Sequence, residues 1–246
     1  PAGLPPSSSL GAMLAVYGTS PNNIYVGGEN GQFYNWKGSL WLSMNGVAPI
    51  QGNETIDSIW VSDQDIVYVA TGKRIYYGKG IEWQTEEMPK AMKSIYGFAS
   101  NDVYAVGGFG GTGFADSISH FTAQGWASQS TPAPSAQGIN DVWGASSELV
   151  LAVGFNGLLL KLSNEVEAQW DVVNHTTISL DYYALKNPSD PSVKDDEATP
   201  IEASILKLEA ISGLNADDII ILGQPSSAEV GTERQVIRFA RRFINP

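Results

Sequence analysis

The stretch that decides the fold runs Asn140-Asp-Val-Trp-Gly-Ala-Ser146, then Leu149-Val-Leu-Ala-Val-Gly154, then Leu158 to Leu162, and closes on Trp170. Apolar runs split by polar turns, with a Trp in the last, read as four consecutive short strands. The same order recurs along the chain. The first strand returns as Leu14-Ala-Val-Tyr-Gly-Thr-Ser20, Asp57-Ser-Ile-Trp-Val-Ser62, Lys93-Ser-Ile-Tyr-Gly-Phe-Ala-Ser100 and Glu209-Ala-Ile-Ser-Gly-Leu-Asn215. Second runs follow at Ile24–Gly28, Ile66–Ala70, Val103–Gly107 and Ile219–Gly223, and third runs at Gln32–Trp36, Arg74–Tyr77, Ser117–Phe121 and Gln235–Phe239. Trp41, Trp83 and Trp126 hold the closing position of Trp170, and the last unit has no closing Trp.

The marker residues of the first strand, at positions 17, 60, 96, 143 and 212, are 43, 36, 47 and 69 residues apart. Most of these intervals match one four-stranded blade of a β-propeller. Runs such as Ile219-Ile-Ile-Leu222 lack the in/out alternation of a sheet with one wet face, so both faces are expected to be covered. The expected fold is therefore all-β: a single propeller domain over residues 1–246, with about five blades starting near 13, 56, 92, 139 and 208. The long last interval is assigned to a hydrophilic inserted loop, about 174–204, expected to lie exposed on one face. Residues 1–11 are similar to the linker 131–138, which hints at a blade before the first.

Composition narrows the function. The chain has 246 residues, 26 acidic against 14 basic, a net charge of −12 and no cysteine. An acidic surface disfavours phosphate backbones, so no nucleic-acid partner is expected. Without cysteine there are no disulfides, thiolate metal sites or cysteine nucleophiles. No apolar run is long enough to be a transmembrane segment. The charge is unevenly spread, since residues 1–233 carry −16 and the remainder, with Arg234, Arg238, Arg241 and Arg242, carries +4.

Trp143-Gly144, Asp102-Val-Tyr-Ala-Val-Gly107, Gly31, Gly157 and Gly38-Ser-Leu-Trp41 resemble a bacterial propeller repeat of the form WGxSxxDVYAVGxxG…GxxW. This repeat is common in secreted and cell-surface proteins. It is distantly similar to the BNR or Asp-box repeats of sialidase-like and photosystem-assembly-factor propellers. Lys37 before Gly38 and Gln124 before Gly125 depart from a true Asp-box. The resemblance implies a propeller in an extracellular, periplasmic or cell-surface setting and does not by itself imply an activity.

No catalytic set is legible, and the chain is expected not to be an enzyme. His120 and His175 lie on different elements without zinc spacing, and there is no nucleophile elbow. Gly108-Phe-Gly-Gly-Thr-Gly113 fits a dinucleotide fingerprint but is followed by a strand rather than a helix, so it reads as a turn. The carboxylates at the first-to-second strand turns read as Asx-type turn residues, with calcium as the alternative. No cofactor or metal is expected. The in-register tryptophans are expected to pack blade against blade. One polar column in the third strand, Asn35, Tyr77, His120, Lys161 and Arg238, reads as a blade-edge position or a ligand-facing one. Candidate binding residues are His120 and Lys161 from that column, Tyr182 and Tyr183 on the inserted loop, and Arg238, Arg241 and Arg242 in the basic tail. The expected function is a non-catalytic scaffold or protein-interaction propeller in a bacterial secreted or envelope assembly. The alternative is a carbohydrate-binding lectin, with a glycan as ligand.

Overall fold

A computed structural model describes residues 11–109, 118–132, 138–164, 169–173, 206–216, 218–225 and 236–237. Two compact units result, Pro1–Thr112 with Asp116–Ser128, and Gly113–Ala115 with Gln129–Pro246. Among the described residues the regular structure is β-strand apart from two single 3-10 turns, Glu29–Gly31 and Phe155–Gly157.

In the first unit, β1 (Met13–Ser20), β2 (Asn23–Gly28), β3 (Phe33–Trp36) and β4 (Trp41–Ser43) form an antiparallel meander, here repeat 1. Repeat 2 follows as β5 (Ser58–Val61), β6 (Val67–Ala70), β7 (Gly72–Lys79) and the first half of β8 (Glu82–Ala99). The second half of β8 opens repeat 3, with β9 (Asp102–Phe109), β10 (Ile118–Thr122) and β11 (Gly125–Gln129). One long strand thus serves two repeats. Glu82 to Glu87 pair with β7, Ala91 to Ala99 pair with β9, and register shifts near Gly72 and Met92 mark the change of partner.

In the second unit, repeat 4 is β12 (Ile139–Ser146), β13 (Leu149–Gly154), β14 (Leu159–Asn164) and β15 (Gln169–Val172). Repeat 5 is β16 (Leu206–Asn215), β17 (Asp218–Pro225) and the short β18 (Val236–Ile237). The expected third strand Gln235–Phe239 is present at Val236–Ile237, which pair with Leu222 and Ile221.

The repeats agree down to their irregularities. In repeat 4 the first hairpin has bulges between Ile139/Asp141 and between Gly144/Ser146. The same two interruptions fall at Met13/Ala15 and Gly18/Ser20 in repeat 1, and at Leu208/Ala210 and Gly213/Asn215 in repeat 5. A bulge twists a strand more strongly and leaves one residue out of the ladder, so identical bulges impose one shape on each hairpin. After the second strand of repeats 1 and 4, Asn30 and Asn156 adopt left-handed φ values of 58° and 53°. Asn tolerates that region better than most side chains, which suits the matching Glu-Asn-Gly and Phe-Asn-Gly turns.

The sheet of repeat 2 buries both faces. Ala15, Tyr25 and Phe33 of repeat 1 form one core with Ile59, Val61, Val67, Val69 and Tyr76 of repeat 2. On the other side of repeat 2, Trp60, Tyr68, Ala70 and Ile75 pack with Met92, Ile95, Val103 and Ala105 of repeat 3. Alternate residues of a strand therefore serve different neighbours. The face carrying the marker aromatic covers the next repeat, and the opposite face receives the previous one.

The closing tryptophans vary in burial. Trp170 is 2% exposed and its Nε1 donates to Gln129 Oε1 at 2.7 Å. Trp83 sits at the edge of the first core with Phe33 edge-on at 6.3 Å, and Trp126 sits beside Phe121 at 5.2 Å, both half-buried. Trp41 packs on Trp36 at 5.5 Å and is also half-buried. Full burial of all four does not occur, and place in the sheet does not decide it: Trp170 is buried on β15, which is outermost like β4 and β11, whereas Trp83 is half-buried on the inner strand β8.

Candidate functional site

Between the turns of repeats 1 and 2 lies a cleft of about 510 Å³. Its floor is Tyr25, Val67, Met44 and Trp83, and its walls include Lys37, Lys79, Asn23 and Asp65. The two lysines occupy one repeat position, in the turn before the closing Trp: Lys37-Gly38 and Lys79-Gly80. Gly38 and Gly80 have φ of +83° and +60°, the left-handed turn conformation that glycine adopts without strain. Neighbouring repeats thereby bring two ammonium groups to one opening.

Both ammonium groups have replaceable partners. Lys37 Nζ donates to Asn23 Oδ1 at 3.3 Å, on an exposed turn. Lys79 Nζ donates to the Gln64 carbonyl at 2.8 Å and to Asp65 Oδ2 at 3.3 Å. The Lys79–Asp65 pair is well exposed on both sides, and such pairs contribute about 0–1 kcal/mol. Burial, reinforced by Asp65, raises the Tyr25 phenol above its ordinary value and keeps it neutral. The cleft thus offers an apolar aromatic floor with cationic and amide donors at the rim, the layout of a site for a ligand with apolar and anionic parts.

A second polar group, close to this cleft in sequence, is structural. Glu54 lies in the connection between repeats 1 and 2. It accepts hydrogen bonds from Tyr76 Oη (2.6 Å), Arg74 Nη1 (3.1 Å), Thr71 Oγ1 (3.1 Å) and the Gln51 amide (2.9 Å). Its carbonyl receives the Gly31 amide at 2.6 Å. Burial acts to raise the Glu54 carboxyl, but the bonds from Tyr76, Gln51, Arg74 and Thr71 outweigh it and hold the group below its ordinary value. Burial, then the Glu54 carboxylate, push the Tyr76 phenol up to about 12. With four donors on one carboxylate, Glu54 is a strut rather than an acid or base.

Of the residues selected from sequence, His120 is 9% exposed. Its ring stacks on Tyr104 at 4.0 Å, and Nε2 donates to Asp102 Oδ1 at 2.7 Å. Lys161 is half-buried on β14, paired with Leu151 and Asp171 across the sheet. His120 and Lys161 belong to different repeats and to different units. In the same column Asn35 is 1% exposed and donates to Asn23 Oδ1 and the Ile24 carbonyl, while Tyr77 stacks on Tyr68 at 5.4 Å. Asn35, Tyr77 and His120 thus serve contacts within the protein. Tyr182, Tyr183, Arg238, Arg241 and Arg242 lie outside the described residues, as do the inserted loop and the end of the glycine-rich turn after Phe109.

The first-to-second strand turns use their polar residues on themselves. Ser62 Oγ accepts the amides of Gln64 and Ile66, and Ser20 Oγ accepts that of Asn22. Among the described residues no group of three or more His, Asp or Glu side chains is placed to hold a metal ion. No helix among them is long and apolar enough to cross a membrane.

No protein-family model and no curated protein sequence matches the chain. Solved structures do. YCF48 bound to D1 peptide superposes with a TM-score of 0.63 at 11% identity, over 100% of this chain and 69% of that one. YCF48 from Cyanidioschyzon merolae gives 0.58 at 12% identity, over 97% and 70%. The extracellular domain of the one-component system BT4673 from B. thetaiotaomicron gives 0.57 at 11% identity, over 95% of this chain but 28% of that one. All three are β-propeller proteins. Likeness at such low identity carries the architecture and nothing finer, and the architecture of this chain is a β-propeller.

Proposed function

We propose that the protein is a non-catalytic interaction propeller that holds a peptide segment of a partner protein in the cleft between repeats 1 and 2. The observation that carries this reading is the pairing of Lys37 and Lys79 over a floor of Tyr25, Met44 and Trp83. An extended peptide would lay apolar side chains on that floor and present a carboxylate, from Asp, Glu or the chain end, to the two ammonium groups. The YCF48 structure with a bound D1 peptide supports this reading, because it shows that a propeller of related shape takes a peptide. A non-catalytic role fits a site whose polar groups are tied into turns, with Glu54 saturated by donors and His120 committed to Asp102. We place the protein in a bacterial secreted or envelope assembly, a setting supported by the repeat resemblance and by one extracellular neighbour.

The second reading is a lectin, favoured by the half-buried Trp83 ring in the cleft, since aromatic faces stack on sugar rings. Selection from a random peptide library against the wild-type protein, with a Lys37→Ala, Lys79→Ala double variant as counter-target, separates the two. Enriched acidic, apolar peptides that the double variant binds at least tenfold more weakly support the peptide site. No enrichment, together with binding on a glycan array that Trp83→Ala removes, supports the lectin.

A further inference from the structure

The cleft between repeats 1 and 2 coincides with the loss of two rings that fill the same place at the next junction. Between repeats 2 and 3, Tyr77 lies parallel on Tyr68 with ring centres 5.4 Å apart. Phe121 of repeat 3 then packs on Tyr77 and on Trp126, each at 5.2 Å. Four aromatic rings thus run unbroken from the second strand of repeat 2 to the closing Trp of repeat 3.

The strand register identifies their counterparts one repeat earlier. Tyr77 pairs with Tyr68 on β6 and Asn35 pairs with Tyr25 on β2, so Asn35 holds the position of Tyr77. Phe121 pairs with Val103 on β9 and Gly78 pairs with Val67 on β6, so Gly78 holds the position of Phe121. At the first junction the outer rings, Tyr25 and Trp83, remain, while the inner two are replaced by an amide and a hydrogen atom. The Asn35 amide is tied to Asn23 Oδ1 and to the Ile24 carbonyl. Gly78 admits nothing larger, since a Cβ there would strike the Glu82 carbonyl and lie 2.9 Å from Trp83 Cδ2. What is left is the opening of about 510 Å³ lined by Tyr25, Val67 and Trp83. The paired cations belong to this junction too. Thr122 takes the repeat position of Lys37 and Lys79 in repeat 3, so two lysines adjoin only where the two rings are lost.

We propose that the cleft selects an aromatic side chain, Phe, Tyr or Trp, that stands beside a carboxylate on the bound peptide. This rests on the peptide reading above and names what the peptide must carry. The guest ring takes the place that Tyr77 and Phe121 fill at the next junction, against Tyr25 and Trp83. The adjacent carboxylate meets the ammonium groups of Lys37 and Lys79 at the rim. An aliphatic side chain fills the same volume without offering a flat face to either ring.

Selection from a random linear peptide library on the wild-type protein tests this through the composition of the winners. Peptides that need Lys37 and Lys79 should carry Phe, Tyr or Trp beside Asp or Glu. Replacing that ring in one winner by cyclohexylalanine, which keeps the bulk and removes the π face, should weaken binding about twofold to tenfold. Asn35→Tyr puts back the ring of Tyr77, so it should keep the wild-type circular dichroism and bind the winner at least tenfold more weakly. Winners that need the lysines but carry Leu, Ile or Met beside the acid overturn the aromatic selectivity and leave the peptide site standing. Undiminished binding by a folded Asn35→Tyr also overturns it. If that variant does not fold, the cyclohexylalanine peptide decides, and its undiminished binding overturns the selectivity. No lysine-dependent winner at all overturns this inference together with the peptide reading beneath it.

Discussion

Trp60 of repeat 2 lies against Gly97 of repeat 3, so closely that a Cβ on Gly97 would sit 2.9 Å from the Trp60 Cη2 and Cζ3 atoms. The same relation joins Trp143 to Gly213, where a Cβ would sit 2.9 Å from Trp143 Cη2 and Cζ2. The marker aromatic of one repeat thus uses the missing side chain of the next. This accounts for the glycine of Tyr96-Gly97 and of Ser212-Gly213 without appeal to backbone freedom, since neither glycine has a left-handed φ.

Gly97→Ala therefore forces a methyl group into an occupied space. It meets the Asp102 carbonyl at 2.8 Å as well as the indole, so neither side can simply swing away. Overpacking of this kind costs about 1–3 kcal/mol. Urea denaturation of Gly97→Ala should show that loss, and Gly97→Ala with Trp60→Phe should recover part of it. Full stability in the single variant would contradict the close approach.

A second inter-repeat device uses an acidic residue inside a first strand. Asp141 Oδ2 accepts the Ile211 amide at 2.8 Å, while Oδ1 accepts the Val142 amide at 3.0 Å. At the matching place, Ser58 Oγ accepts the Ile95 amide at 3.2 Å. Ile95 and Ile211 each follow a bulge, and a bulge takes residues out of the sheet ladder. Asp141→Ala should cost about 1–3 kcal/mol, the penalty for a stranded buried donor. Asp141→Ser should recover much of the loss, as Ser58 does this work in repeat 2. Hydrogen exchange at the Ile211 amide reads the effect directly, and unchanged protection in Asp141→Ala would refute it.

Glu54 gives the first unit a pH dependence of definite sign. Its folded pKa lies below its ordinary value, so its contribution is complete above the unfolded carboxylate pKa of about 4.3. It is lost as pH falls through the folded value. The Tyr76 phenol is raised to about 12, so its contribution is complete below the unfolded value near 10 and is lost as pH rises through about 12. The stability deficit of Glu54→Gln relative to wild type should be largest between those limits and shrink toward acid. A deficit that is flat from neutral pH to strong acid would show that the charge of Glu54 is irrelevant.

The repeat was legible because its strands are apolar on both faces, so Ile219-Ile-Ile-Leu222 could not be the wall of a half-wet sheet. The first-strand aromatic was equally legible as a packing residue, since it recurs in register. What sequence reading missed depends on which repeats adjoin. Lys37 and Lys79 stand forty-odd residues apart, and their meeting over Trp83 follows only when two Lys-Gly turns are set side by side. The signal was present, because both lysines hold the position where an Asp-box has its acid. Glu54 sits in a polar Asn-Glu-Thr stretch, and nothing local marks a carboxylate whose side-chain donors come from about twenty residues downstream. The polar column Asn35, Tyr77, His120 looked like a line of ligand groups because polar residues recur there. In the fold Asn35 and His120 bond second-strand residues of their own repeats and Tyr77 stacks on Tyr68 of its own, so polarity in register meant internal hydrogen bonding and stacking.

The closing tryptophans supply the last prediction, because they share a sequence position and differ in surroundings. Trp170 is buried and donates to Gln129, so Trp170→Ala removes a large buried ring and strands the Gln129 amide oxygen. That change should cost about 3–5 kcal/mol. Trp83 and Trp126 are half-buried against cores already closed by other residues, so each should lose less, about 1–3 kcal/mol. Trp41 is half-buried on the short β4, with Trp36 as its ring neighbour. Trp41→Ala should cost about 1 kcal/mol or less. Equilibrium unfolding of the four variants makes the comparison. The ordering Trp170, then Trp83 and Trp126, then Trp41 should hold. Equal losses at all four positions would show that the shared position sets the energy and the surroundings do not.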